Sequence, residues 1–440
     1  MRNKLITLFF VLLLFGSSFG LTVQESIDLA LKQNPTVLAN KKKVDAADAK
    51  FRQAVGTFAP TIKIDGNLGR NYSQPAIFPI TVTTTAGSTS QNFIMGVDES
   101  ADLKGLFASF TQPLFVAGLF PGLKIAQKNA DIVREDYRKT VLDTTFNTTK
   151  AYYGVLLAKK MYDLSVQSKE MARSHLNQIK ALFSAGVSTK ADLLRTEVLL
   201  ANSEVAQTKA MNSFEIAQNT FNNAVGNDLG EKVSVEDIVI NTKIPSFPTY
   251  DELLNIAFLN RPDWKQFVLS EQMGEENLAL ARTAYLPSVV LSGKTGNQST
   301  NYSIIKSTVS SWQVAGAASW TLFDGFGIQN KINEAAANLE AQKAGEEATK
   351  NAIKLDVRNT YFSLKSALDT IDSNKKAVES AQENYKVSDL RYNSGVGTNL
   401  EVMDAQVALT SAQINYAQAI FDLEIAKAKI NNVVGAKYFQ

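Results

Sequence analysis

The sequence contains no cysteine. That excludes disulfides, thiolate chemistry and a lipid anchor carried on an N-terminal cysteine. It contains a single histidine, His175, which rules out His-cluster metal sites and most catalytic triads. His175 falls mid-helix and is expected to be an exposed or half-buried helix residue. No Gly-rich loop ends in Gly-Lys-Ser/Thr, and the many carboxylates sit in helical i,i+4 patterns. These absences predict no enzyme, no cofactor and no metal. Past residue 20 no stretch approaches 18 apolar residues, so no transmembrane helix is expected. An excess of one charge is missing too. The chain has 45 Lys+Arg against 43 Asp+Glu, and Arg2 and Lys4 fall in the N-terminal leader, leaving 43 of each. A balanced surface argues against nucleic acid as a partner.

What is present begins with that leader. Arg2 and Lys4 precede an almost wholly apolar run, Leu5 to Phe15, and Ser18-Phe19-Gly20 supplies small residues at the −3 and −1 positions of a cleavage site. Residues 1–20 are expected to be a secretory signal peptide, with Leu21 the mature N-terminus.

The rest of the chain repeats itself. Glu25-Ser-Ile-Asp-Leu-Ala-Leu with Asn34-Pro35 matches Glu252-Leu-Leu-Asn-Ile-Ala-Phe with Arg261-Pro262, an offset of 227 that also carries Pro60 to Pro287 and Gly66 and Gly69 to Gly293 and Gly296. Leu114-Phe115 matches Leu322-Phe323 at 208, and the offset then settles at 209 through Tyr152/Tyr361 and Asn223/Asn432. A unit this long is a duplicated domain rather than a solenoid repeat. The expected copies are residues 21–244 and 245–440, joined around Pro245 and Pro248, the first having a longer connection between Pro60 and Leu114.

Each copy opens with a short helix, and a second helical stretch stops at Pro60 or Pro287, since proline cannot continue a helix. Alternation follows. Ile62, Ile64, Gly66 and Leu68 share one face; later Trp312, Val314, Gly316, Ala318, Trp320 and Leu322 do the same. Period two predicts strands. Trp312 and Trp320 lie roughly 26 Å apart along a strand, which suits either the apolar band of an outer-membrane barrel with aromatic girdles or a plain hairpin on a core. The remainder reads as long helices. Leu364, Ile371, Val378, Tyr385 and Tyr392 are spaced by sevens, as are Leu400, Val407, Ile414 and Phe421, the pattern of coiled-coil packing. Only four strands are expected, in two hairpins. Four cannot close a barrel in a bilayer, where open edges are not tolerated; three chains would supply twelve.

The long helices break twice at one short phrase: Ala185-Gly186-Val187-Ser188-Thr189 and Ser394-Gly395-Val396-Gly397-Thr398. The glycines permit a tight reversal with positive φ, and the threonines are natural N-caps of returning helices.

In this order, the duplication, the Asn34-Pro35 and Arg261-Pro262 helix ends, the helix-to-strand prolines, Pro113-Leu-Phe, Thr321-Leu-Phe-Asp-Gly and the twin Gly-Val turns resemble the TolC-like outer-membrane efflux protein family, the outer-membrane factor of tripartite pumps and type I secretion. The resemblance covers nearly all of the mature chain. It implies a mainly α fold with a small membrane β-barrel part: long coiled-coil α-hairpins plus two β-hairpins per chain, a homotrimer sharing a twelve-stranded barrel in outer-membrane lipid with Trp312 and Trp320 in its aromatic girdle, and an α-helical tunnel across the periplasm of a Gram-negative bacterium. It implies a passive exit duct that meets a periplasmic adaptor protein and an inner-membrane RND or ABC transporter. The two Gly-Val phrases become docking tips at the tunnel's closed end. Glu401 and Asp404 become a pore constriction, with Asp192 the one acid kept in the first copy, where Arg195 stands opposite Asp404. The family's latch joins an acid at Asp192, a tyrosine at Tyr392 and an arginine just past the second tip glycine. Here that position is Gly397, which leaves an Asp192–Tyr392 hydrogen bond. The rival reading is a non-conducting coiled-coil scaffold or adhesin.

Overall fold

The computed structural model describes residues 20–85, 87–95, 99–231, 235–236, 247–303 and 306–439. The expected leader, apart from Gly20, and Pro245 lie outside them. Element order reads twice. The first series is α1 (Val23–Gln33), α2 (Pro35–Gly56), β1 (Thr61–Ser73), β2 (Ala76–Thr84), β3 (Gly87–Met95), β4 (Glu99–Val116), α3 (Leu119–Ser184) and α4 (Lys190–Val225). The second is α5 (Tyr250–Asn260), α6 (Pro262–Arg282), β5 (Ser288–Asn301), β6 (Lys306–Ser319), α7 (Gly327–Asn393) and α8 (Asn399–Val434). Threonine starts four of these helices: the hydroxyls of Thr22, Thr189, Thr249 and Thr398 each accept the backbone N–H three residues on, satisfying a donor the helix cannot.

The chain forms two compact units. One comprises residues up to Asp45, Ile132–Val268 and Gly345 onward. Its helices bury three apolar clusters. Leu253 and Ala257 of α5 pack with Ile353, Val357 and Leu364 of α7 and Leu423 and Ile430 of α8. Ala30 of α1 packs in the same way with Tyr152 and Leu156 of α3 and Phe221 and Val225 of α4. Leu176, Ile179 and Leu193 form a small third cluster against Tyr392. The helix-ending side chains before the prolines take equivalent partners. Asn34 Nδ2 donates to the Ala224 carbonyl at 2.9 Å and Arg261 Nη1 to the Val433 carbonyl at 3.1 Å. Arg261 also forms ion pairs with Asp263 at 2.7 Å and Asp356 at 2.8 Å.

The heptad reading needs one correction. Leu364 and Ile371 are buried as expected, but Leu400 and Val407 are about half exposed. In α8 the buried seam is Val402, Leu409, Leu423 and Ile430 instead. Two apolar stripes of the same period run along α8; the expected one is exposed at Leu400 and Val407 and reaches the core only at Phe421.

The second unit, Ala46–Asp131 and Leu269–Ala344, carries the sheet. Its four antiparallel strands run in the order β1-β4-β5-β6, so β1 and β6 are open edges. The registers place Ile62 beside Phe110, Phe110 beside Gly293 and Gly293 beside Val314. One row over, Ile64, Ala108, Thr295 and Trp312 line up. The even-numbered positions of β1, β4 and β6 and the odd-numbered ones of β5 therefore share a face rich in Ile, Leu, Phe, Val and Trp. The opposite face carries Lys63, Asp65, Ser109, Lys294 and Gln313. Ile62, Ile64, Leu68 and Val314 are exposed, and Trp312 is 79% exposed.

Two strand expectations change. Six strands are present among the described residues rather than four. The extra length between Pro60 and Leu114 forms β2 and β3, which pair only with each other. The last strand also ends sooner: Trp320 lies just beyond β6 and its indole Nε1 donates to the Tyr285 carbonyl at 3.0 Å.

Candidate functional site

The two Gly-Val turns close in the same way. Gly186 has φ 77° and Gly395 φ 76°, left-handed values that cost other residues strain. Val187 and Ser188 both donate to the Leu182 carbonyl, at 2.9 and 3.3 Å; Val396 and Gly397 both donate to that of Arg391, at 3.0 and 3.1 Å. Thr189 and Thr398 then cap α4 and α8 through the amides of Asp192 (3.1 Å) and Glu401 (3.3 Å). With their backbone needs met inside the turn, the tips present small side chains outward. Val187 is 73% and Val396 69% exposed, high for apolar residues at a turn apex.

Behind the tips the two α-hairpins are joined by polar groups, among them Asn399, which the sequence did not single out. Asn399, the first residue of α8, is 4% exposed. Its Nδ2 donates to the Asp192 carbonyl at 3.3 Å, the Asp192 Oδ1 at 3.4 Å and the Thr196 Oγ1 at 3.2 Å. Its Oδ1 lies 2.7 Å from His175 Nε2. His175 itself is 4% exposed, correcting the expectation of an exposed or half-buried residue, and its ring meets Tyr392 edge-on at 5.6 Å. Gln178 Nε2 donates to Asn393 Oδ1 nearby.

The expected Asp192–Tyr392 hydrogen bond is not formed within the chain. Asp192 is taken instead by Thr189, whose hydroxyl donates to Oδ2 at 2.6 Å, and by Asn399. Thr189 foremost, and Asn399 with it, hold the Asp192 carboxyl below the usual carboxylate range against the opposing effect of burial. A depressed value means that Asp192 stabilises the folded tips above the unfolded pKa and ceases to as pH falls through the folded one. Hydrogen exchange in the first turn of α4, corrected for the intrinsic rate, is therefore expected to stay slow from pH 7 to 5. It should quicken only in acid below about 4, the unfolded aspartate value. Burial foremost, with the Asp192 charge adding to it, pushes the Tyr392 phenol up against the opposing effect of Ser188, so it remains neutral.

Glu401 and Asp404 lie on the exposed side of the first turns of α8. Glu401 has a cation beside it, Arg391 Nε at 3.7 Å, and Arg391 also donates to the Val396 carbonyl at 3.4 Å. Gly397 has a steric reason to lack a side chain. A Cβ there would lie 3.0 Å from the Tyr392 nitrogen and 3.1 Å from the Arg391 carbonyl carbon. The arginine that the resemblance puts here would need the backbone at the end of α7 to give by a few tenths of an ångström.

A sheet with one lipid-compatible face and two unpaired edges, in a chain with two long α-hairpins and matching tips, defines the protomer of an outer-membrane channel. Residues 26–227 and 253–436 match the outer membrane efflux protein family, and the chain belongs to it. Outer membrane protein TolC of Salmonella enteritidis is 24% identical over 91% of this chain and 79% of its own. Alkaline protease secretion protein AprF of Pseudomonas aeruginosa is 23% identical over 99% of this chain and 89% of its own. The solved outer-membrane channel OprN superposes with TM-score 0.78 at 18% identity, covering 94% of this chain and 90% of its own. VceC of Vibrio cholerae does so with TM-score 0.76 at 15% identity, covering 95% and 97%. The protein is an exit duct in the outer membrane of a Gram-negative bacterium.

Proposed function

We propose that three copies of this chain close a twelve-stranded barrel and continue as an α-helical tunnel, an ungated pore at the membrane end and a gated one at the hairpin tips. The observation that carries this is the sheet: its apolar face needs lipid, and its open edges β1 and β6 need partners, because unpaired backbone groups are too costly in a bilayer. The exposed stripe of Leu400 and Val407 gives neighbouring helices a second seam. The duct is passive, with no reaction of its own. Its tips meet a periplasmic adaptor protein, and an inner-membrane transporter of the RND or ABC class supplies cargo and energy. Relatives include an efflux pump component, TtgC of Pseudomonas putida, and AprF, so drug-sized solutes and secreted proteins are the two cargo classes to test. The transporter that crosslinks to the tips in vivo distinguishes them.

Purified protein is expected to run as a trimer by native mass spectrometry and to conduct in planar bilayers; a stable, non-conducting monomer in mild detergent would favour the scaffold reading. In the trimer, Glu401 and Asp404 from three chains ring the constriction, with Asp192 near it. Arg391 offsets part of the Glu401 charge, so Asp404 carries the larger share of the cation preference. The double variant Glu401→Ala/Asp404→Ala is expected to lose most cation preference and most block by trivalent cations, and Asp404→Ala alone more than half of that. Unchanged reversal potentials in the double variant would place the constriction elsewhere.

A further inference from the structure

We infer that His175 and Asn399 are positioning residues of the gate: together they clamp the second hairpin tip to the first and hold the Asp192 carboxylate in place. The inference rests on the gated-duct reading above and keeps Asp192 from the latch the resemblance implies, but gives it His175 and Asn399 as partners in place of Tyr392 and the arginine.

The amide of Asn399 can face only one way. Its Nδ2 sits against the carbonyl and carboxylate oxygens of Asp192, which can only accept. Thr196 donates its own hydroxyl hydrogen to the same Asp192 carbonyl at 2.8 Å, leaving its oxygen free to accept from Asn399. The Asn399 Oδ1 must therefore be the atom facing His175, and the imidazole must carry its hydrogen on Nε2. The chain of donors is directional: His175 to Asn399, Asn399 to Asp192 and Thr196, Thr196 to Asp192. It spans α3, α4 and α8, with the Tyr392 ring of α7 closing the side of His175. Thr196 is 0% exposed, so water cannot readily replace these partners, and a buried polar group left unpaired is costly. The tip of α7–α8 cannot leave that of α3–α4 without breaking these bonds together. A seam serving only to hold helices would use the leucines and isoleucines found directly below it.

The test compares His175→Phe and Asn399→Leu, which remove the donor and the bridge, with His175→Gln, which keeps a side-chain donor. Single-channel conductance and trimer yield are measured for each. Tip spacing is followed separately through the oxidation rate of a Gln178→Cys/Asn393→Cys pair, which does not depend on conduction. His175→Phe and Asn399→Leu are each expected to raise the open fraction about fivefold or more, the change that follows loss of one buried hydrogen bond, and to slow disulfide formation. Combining them should add little, and His175→Gln should stay near wild type in both readouts. Intact trimers of His175→Phe and Asn399→Leu with wild-type conductance and oxidation rate would overturn the inference. So would His175→Gln behaving like His175→Phe, or collapse of the trimer in all three variants, which would make the cluster purely structural. If no trimer conducts but oxidation rates shift as expected, the clamp stands and the duct reading fails.

Discussion

Cysteines placed at Arg70 and Val314, or at Asn71 and Gln313, are expected to join three copies of the chain into a covalent ring. The register follows from the internal symmetry. Thr61 of β1 faces Thr111 of β4. Moving these by the sequence offsets of 227 and 208 gives Ser288 and Ser319, which face each other in the second hairpin. The two hairpins are thus related by the offsets that relate their sequences. Between them, Phe110 of β4 faces Gly293 of β5. Moving β4 forward by 208 and β5 back by 227 gives Ala318 of β6 and Gly66 of β1. These are the open edges, so Ala318 of one chain should face Gly66 of the next. Four and five residues along, Val314 meets Arg70 and Gln313 meets Asn71. This register also keeps apolar face beside apolar face.

Opposed residues in antiparallel strands have Cα atoms about 4.5 or 5.5 Å apart, both within disulfide range. The chain has no cysteine of its own, so no background crosslink competes. Arg70 forms an ion pair with Asp102 at 3.1 Å, but the pair is exposed and its loss should matter little. On a non-reducing gel either double variant should run at three times the chain mass and collapse to single chains on reduction. The slipped pair Asn71→Cys/Val314→Cys should stay unlinked, because a one-residue shift puts the two side chains on opposite faces. Efficient linkage of the slipped pair, or ladders that stop at two chains, would defeat the proposed closure.

The second large effect is expected at the tips. Val187→Glu with Val396→Glu should abolish efflux in a strain lacking other ducts while leaving outer-membrane trimers and bilayer conductance intact. Three chains present six nearly identical tips, which suits an adaptor assembled with pseudo-sixfold symmetry. Its own tips must bury these valines for the contact to hold, and six added carboxylates would oppose that burial. The valines are better probes than the adjacent glycines. Nothing crowds a side chain at Gly186 or Gly395, but the left-handed backbone there costs any L-residue about 1–2 kcal/mol, so a glycine substitution mixes turn strain with lost docking. Each single variant, altering three of six tips, should show an intermediate defect in substrate export. Export at wild-type level in the double variant would place adaptor contact away from the tips.

The sequence by itself determined the duplication, the helix and strand types, the turns and their caps. Each of these is written locally: a proline ends a helix, a threonine three residues before an acidic residue starts one, a glycine reverses the chain. Its repeat offsets also relate the two hairpins, carrying the register seen in the first onto the second. Tertiary structure decided what local signals leave degenerate. Leu400/Val407 and Val402/Leu409 have the same spacing, and only the folded chain shows that the second pair is buried and the first left exposed for a neighbour. The longer first connection was visible as extra residues, but whether β2 and β3 would join the sheet or pair with each other depended on partners far along the chain. His175 and Asn399, 224 residues apart, carry no common motif. Histidine and asparagine on a helix normally face water, and nothing short of bringing two hairpins together could bury them as a bonded pair. Gly397 could be recognised as a departure from the family's arginine, but its reason, the backbone of Tyr392 lying 3.0 Å from where a side chain would begin, exists only in the folded turn.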